Sequence, residues 1–315
     1  MRRFKQNIRF LIFACLLSGG APVFTADDPS LSGTLIITGS DTMAALVTSW
    51  ADAFIGRYPA VHIEIQALGS GSAPPALAKG TANLGAMSRP MTGAEIERFT
   101  SIRGHTPVGL PVGIDTIGLI VNRSNPLDAV NLETVDAIFS STRSCGSAAA
   151  VDRWADLHVG KNFAPQWIEA YGRTSVSGTH GFFKRVALCG GDFSADVNAL
   201  PGSAAVIDAV AQNPAAIGYA GVNFINDRVK LLAIERDGVH FSAEGDATLN
   251  RDYPLSRVLF IYTASSLGKS LSPLECAFLD FIRSDEGMQL QRKLGSIPMP
   301  KSDATTEKKF IDACG

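Results

Sequence analysis

Three short apolar runs in the first third of the chain each end in a turn that carries serine. The first two turns lead into segments in which apolar residues recur at helical spacing. In a parallel α/β sheet, turns of this kind lie side by side at the carboxyl ends of the strands. The sequence therefore predicts an α/β fold with serines gathered at one edge of a sheet. The runs and serines are residues 34–38 with Ser40, 61–67 with Ser70, and 83–87 with Ser88.

The same alternation of strands and helices continues along the rest of the chain. Apolar and β-branched runs predict further strands, and amphipathic spacing predicts further helices. The predicted strands are residues 111–121, 167–171, 216–220, 229–234 and 258–262, and the predicted helices are residues 132–139, 204–210 and 274–294.

Two α/β lobes are the natural organisation for a chain of 315 residues with 46% hydrophobic content. A break near Val112 and a return near Val222 make the second lobe an insertion in the first. Clefts between lobes of this kind are common ligand sites. The predicted units are residues 1–26 (signal peptide), 27–112 (first part of lobe I), 113–222 (inserted lobe II) and 223–315 (second part of lobe I).

The first 26 residues have the form of a secretion signal. A basic segment precedes the apolar run at residues 10–17, and small residues follow. The signal could be cleaved after Ala26 or after Ala21. The alternative to both is a lipoprotein signal, with lipidation at Cys15. The apolar run is too short to span a bilayer, so we expect a soluble, exported protein.

Export affects how the cysteines and the net charge are interpreted. Cys15 lies in the signal, which leaves an even number of cysteines for an oxidising compartment: Cys145, Cys189, Cys276 and Cys314. Of the three possible pairings we favour Cys145–Cys189 and Cys276–Cys314, each within one predicted lobe, against the alternative of free buried thiols. The signal also removes basic residues from a chain that already has a formal net charge of −2.

The strongest candidate site begins at Arg173, four residues before the turn Ser177-Gly178-Thr179, which opens an amphipathic helix. A helix N-terminus offers unpaired N–H groups and partial positive charge. The hydroxyl groups add donors, glycine allows close approach, and the guanidinium suits an oxyanion. The pattern predicts a socket for a small tetrahedral anion. Because the mature chain is acidic, local donors must supply this attraction.

Candidate partners for this socket come from the strand ends of the first lobe. Ser40, Asp41 and Thr42 either line an anion site or serve as helix N-caps. The loop at residues 69–72, which includes Ser70, forms either an anion-binding nest or a simple turn. Further candidates are Ser88, Arg89, which either contacts the ligand or pairs across the cleft, and Asp115, which is expected to be partly buried.

Other function classes find little support in the sequence. No basic run suggests nucleic-acid binding, and neither a Cys-x-x-Cys motif nor paired histidines suggest a metal site. An exported phosphatase or serine hydrolase is the enzyme alternative, but a Gly-x-Ser-x-Gly elbow is missing. His180 next to the Ser177 turn is interpreted as a packing or surface residue.

Taken in order, these motifs resemble the phosphate-binding proteins of the PstS type, the extracytoplasmic receptors of phosphate ABC importers. The resemblance covers about residues 31–300, including residues 216–220 and 295–300. It implies a two-lobed type II periplasmic-binding-protein fold. A hinge joins the lobes, and the lobes close on dehydrated phosphate. The positions it assigns to the ligand are Ser40, Asp41, Thr42, Ser70, Arg173, Ser177, Gly178 and Thr179.

The resemblance also implies a role and partners. The protein is expected to be a periplasmic monomer without a cofactor and without enzyme activity. It would bind inorganic phosphate and deliver it to an ABC permease in the inner membrane. Another tetrahedral oxyanion, such as sulfate or molybdate, is the alternative ligand.

One position departs from the family pattern. The best-known members carry Asp in the third loop, where it accepts a hydrogen bond from the proton of phosphate, whereas this chain has Ser88 followed by Arg89. A buried acceptor favours protonated phosphate over sulfate, which carries no proton. We hypothesise that Asp41 or Asp115 replaces the missing acceptor.

Overall fold

The structure is a computed structural model. It describes residues 31–159, 166–243, 252–264 and 271–300, together with Lys308 and Cys314. The predicted signal peptide at residues 1–26 and the alternative lipidation site at Cys15 lie outside these residues. Within the described ranges, no helix combines the length and apolar character needed to cross a membrane.

The described residues alternate between strands and helices, as the sequence predicted. The strands are β1 Gly33–Gly39, β2 Val61–Gln66, β3 Leu84–Met87, β4 Val108–Asn122, β5 Ala129–Asn131, β6 Glu169–Arg173, β7 Asn198–Leu200, β8 Ala216–Gly221, β9 Val229–Arg236, β10 Val239–Phe241, β11 Ser256–Thr263 and β12 Ile297–Pro298. The helices are α1 Ala44–Arg57, α2 Ala73–Lys79, α3 Gly93–Arg103, α4 Leu132–Phe139, α5 Gly178–Ala187, α6 Ser203–Gln212, α7 Pro273–Arg283 and α8 Asp285–Lys293.

The first lobe is built on a sheet with the order β2-β1-β3-β11-β4. Strands β1, β2 and β3 are parallel, whereas β11 runs antiparallel to β3 and to β4. Helix α1 buries Trp50 and Phe54 against this sheet. The Phe54 ring meets Phe278 and Phe281 of α7 edge-on, at centroid distances of 5.3 and 5.6 Å. The three serine turns therefore stand at one end of a well-packed sheet.

Strand β4 connects the two lobes. As far as Thr116 it pairs with β11, and from Ile117 it pairs with β8 and β9. The second sheet continues from β8 to β6 and β7 in parallel, while β5 and β10 flank β9. The return to the first lobe lies beside the outward crossing, because Ile117 N–H donates to the Leu255 carbonyl at 3.0 Å.

The lobe boundaries differ from the predicted ones. The outward crossing lies at residues 116–117 rather than after residue 112, and the return lies at residues 255–256 rather than after residue 222. Strand β9 belongs to the second lobe, since it pairs with β4 and buries Leu232 and Ile234 in that core. Periodicity identified β9 as a strand but carries no information about which sheet the strand joins.

Two helical predictions also need correction. The single helix predicted at residues 274–294 is two helices, because Ser284 adopts an extended backbone and accepts a hydrogen bond from Gly287 N–H at 3.1 Å as the N-cap of α8. Helix α3 was not predicted. Thr92 and Glu95 start it with a capping box, a signal that was present in the sequence.

Both favoured disulfides are formed. Cys145 pairs with Cys189 in the second lobe, and Cys276 of α7 pairs with Cys314. Cys145 N–H also donates to the Asp136 carboxylate at 2.7 Å, which anchors the first bridge to α4.

We predict that replacing both Cys145 and Cys189 by Ser lowers the free energy of unfolding by roughly 2–4 kcal/mol, because a cross-link over 44 residues restricts the unfolded chain. Urea denaturation with and without reductant measures the effect. The matched control replaces Cys276 and Cys314, whose bridge spans 38 residues and should contribute a similar amount. An unchanged urea midpoint in the Cys145 and Cys189 variant contradicts the prediction.

Candidate anion-binding site

Most of the predicted site residues from the two lobes meet in the cleft where β1, β3 and β6 end. Most of these polar side chains are buried, which is unusual for hydroxyl and charged groups. The buried members are Ser40, Thr42, Ser70, Ser88, Asp115, Arg173, Ser177 and Thr179.

Arg173 is the last residue of β6, and its side chain is 1% exposed. Its Nη2 donates to Asp41 Oδ2 of the first lobe at 2.6 Å and to the Pro201 carbonyl at 2.7 Å. Nη1 donates to Ser203 Oγ at 3.2 Å, and Nε donates to the Leu200 carbonyl at 3.3 Å. These bonds use all but one of the N–H donors of the guanidinium. The planar cation is thus fixed against the opposite lobe with one donor to spare.

Asp41 has one satisfied and one unsatisfied carboxylate oxygen. Oδ2 accepts from Arg173, while Oδ1 is buried and accepts from no donor among the described residues. An ionised carboxylate can only accept hydrogen bonds, and a buried acceptor without a donor is costly. The arrangement suits a ligand that brings a proton to Oδ1.

The hydroxyl groups of the two lobes approach one another directly. Thr42 Oγ1 and Thr179 Oγ1 lie 3.0 Å apart across the cleft. On the first lobe, Ser70 Oγ accepts from Ser88 N–H at 3.0 Å and lies 3.3 Å from Ser88 Oγ. The lobes are also joined through the backbone, where Gly71 N–H donates to the Val176 carbonyl at 3.0 Å. The cleft is therefore closed.

Gly178 is required by the closeness of this contact. A Cβ atom at position 178 would overlap the hydroxyl oxygens of both Ser70 and Ser88. Glycine lets the first turn of α5 reach the serine turns of the other lobe. This is the close backbone approach that the sequence motif predicted.

Helix α5 presents its N-terminus to the cleft. Ser177 is the N-cap, and its Oγ accepts from Thr179 N–H at 3.2 Å. The first-turn amides have no acceptor within the helix, and the helix dipole makes this end partly positive. His180 in the same turn stacks on Phe193 with a centroid distance of 4.4 Å. Burial and the nearby charges of Lys184 and Arg173 lower the His180 pKa, which favours the neutral form of the ring.

Ser40 and Asp41 were considered as helix N-caps, but neither caps α1. The N-cap of α1 is Met43, which makes no side-chain cap bond. Ser40 Oγ accepts a long bond from Met43 N–H at 3.4 Å, and Asp41 is directed to Arg173. The first turn of this lobe therefore leaves the Asp41 carboxylate for the cleft.

Arg89 does not join Arg173 and Asp41 in the cleft, because its guanidinium is paired with a carboxylate of its own lobe. Nη1 and Nη2 donate to the two carboxylate oxygens of Glu95, each at 2.7 Å, and Glu95 lies in the same lobe. Burial alone would raise the Glu95 pKa, but the hydrogen bonds from Arg89 and Thr92 outweigh it, and the Glu95 pKa is lowered. The expectation of ligand contact or pairing across the cleft missed this partner because α3, which carries Glu95, was not predicted.

Asp115 is buried as expected, but it does not face the cleft as a free acceptor. Its Oδ2 accepts from Nη2 and Nε of Arg257, at 2.7 and 3.0 Å. Arg257 Nη1 in turn donates to Thr179 Oγ1 at 3.1 Å. Sequence analysis missed Arg257, although an arginine at the start of the apolar run at residues 258–262 was a usable signal.

Comparison with known proteins agrees with this architecture. The model for the PBP superfamily domain matches residues 25–286. The phosphate-binding protein PstS of Pseudomonas aeruginosa PAO1 is 42% identical over 324 residues, covering 99% of each chain.

Two solved structures show the same fold. A putative phosphate ABC transporter substrate-binding protein with bound phosphate, from Clostridium perfringens, has a TM-score of 0.71 and 24% identity, covering 85% of this chain and all of its own. An ABC-type phosphate transport receptor from Vibrio cholerae has a TM-score of 0.67 and 21% identity, covering 84% of this chain and all of its own. With its two lobes, its buried arginine and its near full-length similarity to the Pseudomonas protein, the chain belongs to the PstS family of phosphate-binding proteins.

Proposed function

We propose that this protein captures inorganic phosphate between its lobes and delivers it to an ABC permease. The observation that carries the proposal is the Asp41 carboxylate, which holds Arg173 with Oδ2 and keeps Oδ1 buried without a donor. A protonated oxyanion complements this pair, because its charge meets the guanidinium and its proton meets Oδ1. The relatives described above are phosphate-binding proteins, which supports the same ligand class.

The remaining groups supply donors for the unprotonated oxygens. Arg173 gives charge and its remaining N–H, while the first turn of α5 gives amide N–H groups and a favourable dipole. Thr42 and Thr179 add hydroxyl donors from opposite lobes. Ser70 and Ser88 hold each other and face Gly178, so we assign them to shaping the closed cleft.

Asp41 is the acceptor that we propose in place of the family aspartate missing at the third loop. Asp115 is the weaker candidate, because Arg257 occupies its Oδ2 and stands between it and Thr179. An acceptor-only group attracts monohydrogen phosphate and repels sulfate, so Asp41 would set the selectivity of the site.

Capture and delivery require the cleft to open and close. The two chain crossings at residues 116–117 and 255–256 lie side by side and form a natural hinge. We propose that the closed protein is periplasmic, acts as a monomer and presents both lobes to the permease. We propose that the site binds the anion without turnover, because the described residues around it act as hydrogen-bond donors, acceptors and counter-charges.

Isothermal titration of the mature protein with phosphate, sulfate and molybdate tests the ligand. We expect tight phosphate binding and at least a hundredfold weaker sulfate binding, corresponding to about 3 kcal/mol. Tighter binding of sulfate or molybdate would redirect the proposal to another oxyanion. Hydrolysis of a generic phosphomonoester by the purified protein would instead indicate an enzyme.

We predict that Asp41→Asn weakens phosphate binding roughly 30-fold, because a hydrogen bond to a charged group contributes about 2 kcal/mol. Sulfate binding should be unchanged or stronger, since the repelling charge is removed. Titration with both anions measures the change in selectivity. Asp52→Asn, at an exposed position on α1, is the matched control and should leave both affinities unaltered. Equal losses for the two anions contradict the role of Asp41 as proton acceptor.

We also predict that Arg173→Ala costs several kcal/mol of phosphate binding, because the desolvated anion loses its counter-charge. Equilibrium binding of radiolabelled phosphate measures the loss, and Arg98→Ala on the exposed face of α3 is the control. A loss smaller than about tenfold would show that Arg173 does not contact the ligand.

A further inference from the structure

Arg257 is a second buried arginine beside the ligand site, and its side chain is 1% exposed. It extends from β11 at the crossing between the lobes and reaches the first turns of α5. Its guanidinium binds Asp115 of β4, donates to Thr179, and lies 5.9 Å from the centre of the Phe182 ring. One side chain thus connects both hinge strands to the helix that presents its N-terminus to the cleft.

The bond from Arg257 constrains the Thr179 hydroxyl chemically. A hydroxyl carries one proton and two acceptor lone pairs, and a guanidinium can only donate. Because Arg257 Nη1 donates to Thr179 Oγ1 at 3.1 Å, it occupies one lone pair and the hydroxyl proton must point elsewhere. Thr42 Oγ1, 3.0 Å away on the far side of the cleft, lies in the remaining direction. The bond from Arg257 thus leaves the hydroxyl proton and one lone pair on the side of the cleft, where the proton is available to a ligand.

We propose that Arg257 is a positioning residue that orients the Thr179 hydroxyl so that it donates its proton to the bound anion. The proposal rests on the proposed function, since it concerns how the same site recognises phosphate. Arg257 acts through Thr179 and does not itself contact the ligand.

The charges around Arg257 separate this role from simple attraction of the anion. Asp115 accepts from both Nη2 and Nε, so the pair is neutral as a unit. Its field at the cleft is therefore much weaker than that of an unpaired cation. Orientation of a hydroxyl, in contrast, depends on geometry and persists when the net charge is zero.

This arrangement distinguishes the protonated oxygen of the anion from its unprotonated oxygens. Asp41 Oδ1 can only accept and so receives the protonated oxygen, whereas the Thr179 hydroxyl, oriented by Arg257, donates to an oxygen without a proton. The site would then bind monohydrogen phosphate in one orientation of its proton. Specificity would come from a matched acceptor and donor on opposite lobes, not from charge alone.

A double-mutant cycle tests the proposal. The first change is Arg257→Gln with Asp115→Asn, which removes both buried charges together and avoids an unpaired carboxylate. The second change is Thr179→Val, which removes the hydroxyl while keeping the side-chain shape. Phosphate dissociation constants are measured by calorimetry for the wild type, the two variants and their combination.

We expect the Arg257 and Asp115 change to weaken phosphate binding about tenfold when Thr179 is intact and less than twofold in the Thr179→Val background. The loss should remain tenfold in the Thr179→Ser background, which keeps the hydroxyl. The matched control is Arg228→Gln with Asp208→Asn, an exposed ion pair whose removal should leave affinity unchanged.

An equal loss with and without the Thr179 hydroxyl overturns the proposal, and so does unaltered affinity in the first variant. If that variant does not fold, Arg257→Lys replaces it, because lysine can still pair with Asp115 but lacks the fork that also reaches Thr179. Absence of phosphate binding by the wild type would overturn the proposed function and this proposal together. Wild-type binding without coupling overturns only this one.

Discussion

The cleft depends on how two buried guanidinium groups are neutralised. Arg173 is paired across the lobes with Asp41, and Arg257 is paired along the hinge with Asp115. A buried cation without a counter-charge is strongly destabilising, so each pair ties the position of its backbone elements to the other. The first pair joins the lobes, and the second fixes the helix that faces them. The geometry of the hydroxyl and amide groups follows from these two attachments.

The two pairs contribute differently to recognition. The Arg173 pair lies at the cleft and keeps both a donor and a carboxylate oxygen for further bonds. The Arg257 guanidinium binds Asp115 and Thr179 and does not itself contact the ligand. Its effect on the cleft is the orientation of the Thr179 hydroxyl group. Two arginines of similar burial therefore act by separate means, one through charge and one through orientation. A count of charged residues in the site would not reveal this division.

Much of the local structure could be predicted because it depends on short-range signals. The strands that end before Ser40, Ser70 and Ser88, the start of α5 at Gly178 and the position of Arg173 follow from periodicity and capping chemistry. Cysteine pairing within lobes was also predicted correctly. The strand ends and the helix start require no knowledge of which distant segments meet, and the cysteine pairing required only that each bridge stay within one lobe.

The errors concern long-range pairing. The return to the first lobe was placed too early, at residue 222, because periodicity does not tell which sheet β9 joins. Its pairing with β4 and the packing of Leu232 assign it to the second lobe. Arg89 was assigned to the ligand because its partner Glu95 lies on an unpredicted helix. Arg257 was missed because it joins the site only through its hydrogen bond to Thr179, which lies 78 residues away in sequence.

The position of β11 also constrains how this chain can fold. It lies between β3 and β4 in the first sheet, although the whole second lobe separates it from β4 in sequence. The second lobe is continuous and has its own core, so it can form from local chain. The first lobe must instead wait for residues 256–263 to arrive, and such distant pairing is slow. Residues 33–116 therefore lack a central strand of their sheet until the whole second lobe and residues 256–263 have been synthesised, so the second lobe can fold before the first.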